Sequence, residues 1–231
     1  MDIEFFNSLF NGSKGYLAAT FIEASTKRVS NKYYDLADLS DFYDTCDKQS
    51  RLGWNCYFVP SVMASQGRTK QDFKESNVVW MDYDKGTALP NFEEPLPSQV
   101  VQSSPGKYHV YWHLDEPVDS SAQLEAINKE LCRQYDADKS GVDCTQLLRV
   151  PGTFNYKYEA DTVVTVLSSY PFSYPVGSFK SFLQGHRLKL HLRKLLSSKH
   201  SLRYLQTMLS PLSFSMAIAR IQRVGQEPFI S

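Results

Sequence analysis

The residues best suited to chemistry fall in three short stretches between Asn77 and Lys157. In "NVVWMDYDKG" an apolar run ends in Asp82 and Asp84, one residue apart. Strand side chains alternate, so Val78, Trp80, Asp82 and Asp84 share one face and Tyr83 takes the other. Two carboxylates this close repel, and one stays protonated unless a cation sits between them. Hard oxygen ligands of this kind suit Mg²⁺ or Mn²⁺. An isolated Asp-x-Asp is nevertheless more often a strand end that has reached water.

The second stretch, "SSPGKYHVYWH", sets Lys107, His109, Tyr111 and His113 on one face of a strand that leaves a glycine turn. A lysine and a histidine side by side there can hold phosphate oxygens, although a solvated strand face would look the same. No other His or Cys is spaced to join His109 and His113 in a zinc site. In the third stretch, "GVDCTQLLRVPGTFNYK", Asp143 follows an apolar residue, and Arg149, Asn155 and Lys157 come soon after. Each stretch alone is ambiguous. Together they supply three carboxylates for metals and His, Lys and Arg for a triphosphate, the components of two-metal phosphoryl transfer.

The surrounding elements follow from periodicity. "MDIEFFNSLF" has helical apolar spacing, broken by Asn11-Gly12. "GYLAATFIEA" reads as a strand, Lys32 to Asp47 as a polar-faced helix, and "WNCYFVPSVM" as a strand up to Pro60. A polar loop, "ASQGRTKQDFKES", then leads into Val78–Met81, apolar on both faces and so expected as a central, covered strand. "SQVVQSSPGKYHVYWHL" reads as a hairpin turning at Ser104-Pro105-Gly106. Ser120 to Tyr135 is the clearest helix, capped by Ser120 or Ser121 with Leu124, Ile127 and Leu131 on one side. "TVVTVL" is a short β-branched strand, and the prolines of "YPFSYPVGS" read as a linker to a basic helical end. The expectation is a mixed α+β body over residues 1–170 and a basic helical segment over 171–231.

The 231 residues carry 25 Lys+Arg against 25 Asp+Glu, but the balance hides segregation. From Pro171 onward stand nine of the basic residues and one acid, so a segment of +8 follows a body of −8. "HRLKLHLRKLLSSKHSLR" alternates apolar and cationic residues, and Tyr204 is a ring available for base stacking; strand binding and a packed helix with solvated charges are both readings of it. No apolar run approaches the roughly 20 residues that span a bilayer, and the acidic amino terminus lacks the basic start of a signal peptide. Cys46, Cys56, Cys132 and Cys144 form no C-x-x-C pair, so zinc is not expected and reduced thiols in a cytoplasmic setting are.

Over Gly53 to Lys157 the chain resembles the archaeo-eukaryotic primase superfamily, in particular the primase-polymerases of phages, plasmids and other mobile elements. "VVWMDYD" matches the family's apolar strand ending in two acids, "SSPGKYHVYW" its turn and histidine strand, and "GVD" its third acid. "RVPGTFNYK" fits the R-x-P-G-T-x-N-x-K run of the phage and plasmid branch at every fixed position, the most specific match of all. The family's second motif often reads Ser-x-His, whereas this chain has Lys107-Tyr108-His109.

The resemblance implies an RNA-recognition-like antiparallel sheet backed by helices and preceded by an α/β unit, with the active site in the cleft between them. It implies that Asp82, Asp84 and Asp143 bind two Mg²⁺ or Mn²⁺ ions, and that His109 contacts the phosphates of the incoming nucleotide beside Lys107 and Arg149. Asn155 and Lys157 then stand behind that shell or on the template side, and Arg68 and Lys70 of "SQGRTK" are candidates for phosphate contact. The implied partners are single-stranded DNA, ribo- or deoxyribonucleoside triphosphates and a replicative helicase, inside a bacterial, archaeal or phage-infected cell. A metal-dependent nuclease or replication-initiator nickase is a competing enzyme reading, although "HVYWH" lacks the His-apolar-His pair such nickases use. A strand-binding replication accessory without catalysis is the competing non-enzyme reading.

Overall fold

A computed structural model describes residues 2–86, 88–157 and 162–179, all within one unit, Met1–Phe182. The basic stretch from residue 180 onward, with the strand-binding expectation attached to it, lies outside the described residues.

The chain opens with α1 (Ile3–Phe10), which starts where Asp2 accepts the Phe5 amide and buries Phe5, Phe6, Leu9 and Phe10. β1 (Tyr16–Glu23) and β2 (Val29–Asp35) form an antiparallel hairpin, followed by α2 (Ser40–Arg51), β3 (Trp54–Phe58) and the two-residue β4 (Val62–Met63). β5 (Phe73–Tyr83) is the long central strand, β6 (Gln99–Ser104) and β7 (Lys107–Val118) make the second hairpin, and α3 (Ser121–Gln134) begins at Ser120, whose side chain accepts from the Gln123 amide. β8 (Leu148–Arg149), β9 (Thr165–Ser169), β10 (Ser173–Tyr174) and one 3₁₀ turn (Val176–Phe179) complete the described chain.

The strands join in the order β8-β3-β1-β4-β5-β7-β6-β9, with β2 beside β1 and β10 beside β7. All of these pairings are antiparallel except β10 with β7. The fold is therefore α+β and built mainly on an antiparallel sheet. β5 is buried on both faces, as its unbroken Val78–Met81 run requires. The Trp80 face meets α1 through the Phe5–Tyr111 ring contact at 5.4 Å. The opposite face carries Trp112, stacked on Tyr135 at 6.5 Å just beyond α3.

Two local expectations change. Val29–Asp35 is a strand, and the helix expected over residues 32–47 is confined to α2, from Ser40 to Arg51. Val29–Asp35 is largely polar because it is an edge strand with one bonded neighbour, so only Tyr34 is buried and no apolar alternation marks it. Residues 171–179 lie against the body: Ser173 and Tyr174 pair with His113 and Leu114, and Phe179 is buried. The prolines there break the strand pattern without detaching the chain. Among the described residues, no helix is long and apolar enough to cross a membrane, and all four cysteines are buried and unbridged.

Candidate active site

The pairing of β5 with β7 sets Asp82 opposite His109, Trp80 opposite Tyr111 and Val78 opposite His113. Strand alternation then keeps Asp82 and His109 on one face, at the end of the sheet where β5 stops. The Ser104-Pro105-Gly106 turn is packed against the loop that follows Asp84. Gly106 has φ +72°, and a Cβ there would lie 2.8 Å from the Gly86 backbone, so glycine is required both by conformation and by contact. The Gly86 amide donates to the Gly106 carbonyl at 3.1 Å. That contact brings Lys107 Nζ to 2.5 Å from Asp84 Oδ2.

From the other half of the sheet, β8 pairs with β3 so that Arg149 stands opposite Tyr57. The guanidinium carbon lies 4.8 Å over the Tyr57 ring, and Arg149 Nη1 donates to Asn55 Oδ1 at 2.8 Å. The "PGTFNYK" run then folds back on β3 and β6. Tyr156 N donates to Asn55 Oδ1 at 3.0 Å, Phe154 N to Ser50 Oγ at 2.8 Å, and Asn155 Nδ2 to the Ser103 carbonyl at 2.7 Å.

These contacts close a polar pocket of about 180 Å³, lined by Tyr57, Asp82, Asp84, Ser103, Ser104, Lys107, His109, Leu147, Arg149, Asn155 and Lys157. Seven of the residues singled out in the sequence meet here: Asp82, Asp84, Lys107, His109, Arg149, Asn155 and Lys157. Asp143, Arg68 and Lys70 are not in the lining. They form a neighbouring group in which Lys70 Nζ contacts Glu125 Oε1 at 2.7 Å and Asp143 Oδ2 at 3.1 Å. Arg68 Nη1 donates to the Thr145 carbonyl at 3.3 Å. Asp143 also accepts from the amide and hydroxyl of Thr145, and these bonds together with Lys70 hold its carboxyl below the usual range despite partial burial. Glu125, Asp143 and Cys144 carry ligand atoms within 4.8 Å of one another, and Lys70 supplies the cation for the two acids.

The electrostatics of the pocket are unbalanced. Burial pushes the Asp82 carboxyl up to about 7, reinforced by Asp84 and Asp138 and opposed by Lys107. Asp82 Oδ1 is buried without a hydrogen-bond partner. A desolvated, unsatisfied carboxylate oxygen beside a second carboxylate is the donor set a hard divalent cation requires, so the residues fit such an ion. Burial also drives His109 down to about 3, helped by the charge of Arg149 and opposed by Asp84; the ring is neutral at physiological pH and its Nδ1 is buried without a partner. A neutral imidazole offers one N–H donor and one acceptor to a ligand, not a charge.

Several lining or supporting residues were not singled out in the sequence. Ser103 and Ser104 put hydroxyl-bearing residues in the lining from β6, although the position two before His109 is a lysine. The doubled serine before the turn was their visible signal. Asn55 was signalled only as an amide inside an otherwise apolar, buried strand. Asp138 had no signal at all. Its amide donates to the Asp82 carbonyl at 2.8 Å, and its charge helps raise Asp82.

Comparison with known proteins adds three findings. Residues 65–167 match the RepB DNA-primase N-terminal domain family. A replication protein of Clostridium perfringens is 27% identical over 187 residues, covering 74% of this chain and 43% of that protein, so this chain spans less than half the relative's length. Among solved structures, the archaeo-eukaryotic primase domain of the cyanophage S-2L primase-polymerase has a TM-score of 0.62 at 16% identity, covering 78% of this chain and 96% of that one. The catalytic domain of primase RepB′ in complex with initiator DNA has a TM-score of 0.57 at 18% identity, covering 78% and 90%. At these identities the structural likeness establishes the fold.

Proposed function

From the match of residues 65–167 to the RepB DNA-primase N-terminal domain family and the fold shared with primase-polymerase structures, we propose that the chain is a member of the archaeo-eukaryotic primase superfamily and a template-dependent nucleotidyltransferase. It acts as a primase, a DNA polymerase or both, on single-stranded DNA in the replication of a phage, plasmid or other mobile element. The observation that carries the reading is the convergence of Asp82, Asp84, Lys107, His109 and Arg149, from three separate segments, on one pocket that contains an unsatisfied carboxylate oxygen. The setting for this chemistry is the cell interior, in keeping with four unbridged cysteines.

Asp82 and Asp84 hold divalent metal, Mg²⁺ or Mn²⁺. When bound, two such ions supply Lewis-acid activation of a 3′-hydroxyl and charge stabilisation of the leaving pyrophosphate. Lys107, Arg149 and Lys157 set cations around the same space, where they offset the charge of a triphosphate. His109 meets a phosphate oxygen as a neutral hydrogen-bond donor. Asn155 fixes the loop that carries Lys157 by bonding Ser103. Arg68 and Lys70 stand outside the pocket lining, held by Thr145, Glu125 and Asp143, and are the candidates for contact with phosphates of nucleotide or template. Asp143 is the expected third metal ligand, although Asp138 stands directly beside Asp82. Asp143→Ala and Asp138→Ala, assayed side by side, identify which carboxylate acts.

The test is incubation with single-stranded template, labelled ribo- or deoxyribonucleotides and Mn²⁺ or Mg²⁺, with and without a primer. Products that appear without a primer establish initiation, and products that need one establish extension. Cleavage of the template without added nucleotides would replace this reading with a nuclease. Strand binding indifferent to metal, with no nucleotide turnover, would replace it with a non-catalytic accessory.

A further inference from the structure

The cation side of the pocket is organised by a residue that does not line it. Asn55 sits on β3, opposite Ile22 of β1, and is 6% exposed. Its Oδ1 receives two donors, Arg149 Nη1 at 2.8 Å and the Tyr156 amide at 3.0 Å. Its Nδ2 faces the Ile22 carbonyl at 3.5 Å, which fixes which way the amide points. One of those donors belongs to a pocket side chain and the other to the loop that carries Asn155 and Lys157. Beneath the guanidinium, the Tyr57 ring fixes the second dimension.

We propose that Asn55 is a positioning residue for nucleotide binding: its side-chain carbonyl sets the orientation of Arg149 and, through Tyr156, the placement of Lys157, so that both cations face one polyphosphate. This rests on the reading of the pocket as a nucleotide site. The chemistry favours an amide over a carboxylate at this position. An aspartate would accept the same two bonds but would add a negative charge beside Arg149, whereas the neutral Asn55 carbonyl orients the guanidinium without adding one. A buried guanidinium also keeps one geometry only while its donors are satisfied by fixed acceptors.

The experiment is a titration of the metal-loaded protein with ATP and with dATP, followed by calorimetry, on wild type, Asn55→Leu, Arg149→Ala and the double variant. Asn55→Leu is expected to weaken nucleotide binding about tenfold, the scale of one hydrogen bond to a charged group. In the Arg149→Ala background the same change is expected to weaken it less than twofold, a coupling that a purely structural loss would not produce. Melting temperatures are recorded on the same samples. If Asn55→Leu does not fold, Asn55→Asp keeps the shape and the acceptor, and its charge is expected to weaken binding by a similar factor without lowering the melting temperature. A folded Asn55 variant that binds nucleotide within twofold of wild type, or a loss of equal size in the Arg149→Ala background, overturns the inference and leaves the nucleotide site standing. Absence of nucleotide binding by the wild-type protein overturns the site itself and the inference with it.

Discussion

Asp82 is the residue at which function and stability are expected to oppose each other. Its carboxyl is raised from 3.8 to about 7, first by burial and then by Asp84 and Asp138. A group whose folded value lies above its unfolded value contributes most stability below the unfolded value, and that contribution is lost as pH rises through the folded one. The window is therefore about pH 4 to 7, and at pH 8 the metal-free protein carries the full penalty of an ionised, desolvated carboxylate. A difference of about 3 units at roughly 1.4 kcal/mol each sets an upper limit of about 4 kcal/mol. Relaxation of the exposed Asp84 side of the pocket brings the expected effect nearer about 2 kcal/mol. Asp82→Asn removes the charge with little change of shape. In metal-free buffer at pH 8 it should raise the melting temperature by about 4–8 °C, at about 2–4 °C per kcal/mol for a domain of this size. At pH 5 the gain should fall to about a third, because the wild-type carboxyl is then protonated in the folded state. Mn²⁺ should stabilise the wild type and leave the variant unmoved. The assay is a set of thermal melts at pH 5 and 8, with chelator or with Mn²⁺. A variant that melts at or below the wild type at pH 8, or whose advantage grows at pH 5, refutes the reasoning.

Three further outcomes follow from the same geometry. Asp84→Ala should lower metal-dependent nucleotide incorporation by about a hundredfold or more, read by primer extension on a single-stranded template. Gly106→Ala forces a side chain into a positive φ and into the Gly86 backbone, so it should destabilise the fold by about 1–3 kcal/mol, read by urea melts, and weaken nucleotide binding by displacing Lys107. His113 is driven down to about 4 by burial, so its contribution to stability is intact above about pH 6.5 and is lost as pH falls towards 4. His113→Gln should flatten that acid limb by about 1–2 kcal/mol between pH 7 and 4 in urea melts, and equal acid sensitivity in both proteins would contradict the assignment.

What the sequence could reveal was whatever depends on near neighbours. The period-2 alternation of Val78 to Asp84 was enough to place both carboxylates on one face, and the glycine turn was enough to set Lys107 and His109 on the strand that follows. The helix beginning at Ser120 was legible from its cap and its apolar spacing. β2 was not legible, because an edge strand bonded on one side can be polar throughout without penalty. Tertiary pairing decided the rest. It decided that Asp82 faces His109, that Arg149 arrives from β8 to lie on Tyr57, and that Asn55, 94 residues from Arg149 in the chain, holds it in place. It also set Asp143 against Lys70 and Glu125 while bringing Asp138 beside Asp82. Those outcomes depend on strand register and loop closure, which join residues far apart in the chain and leave no mark in local spacing. The sequence determined which chemical groups were available and which way each strand would point them. The sheet determined which of them meet.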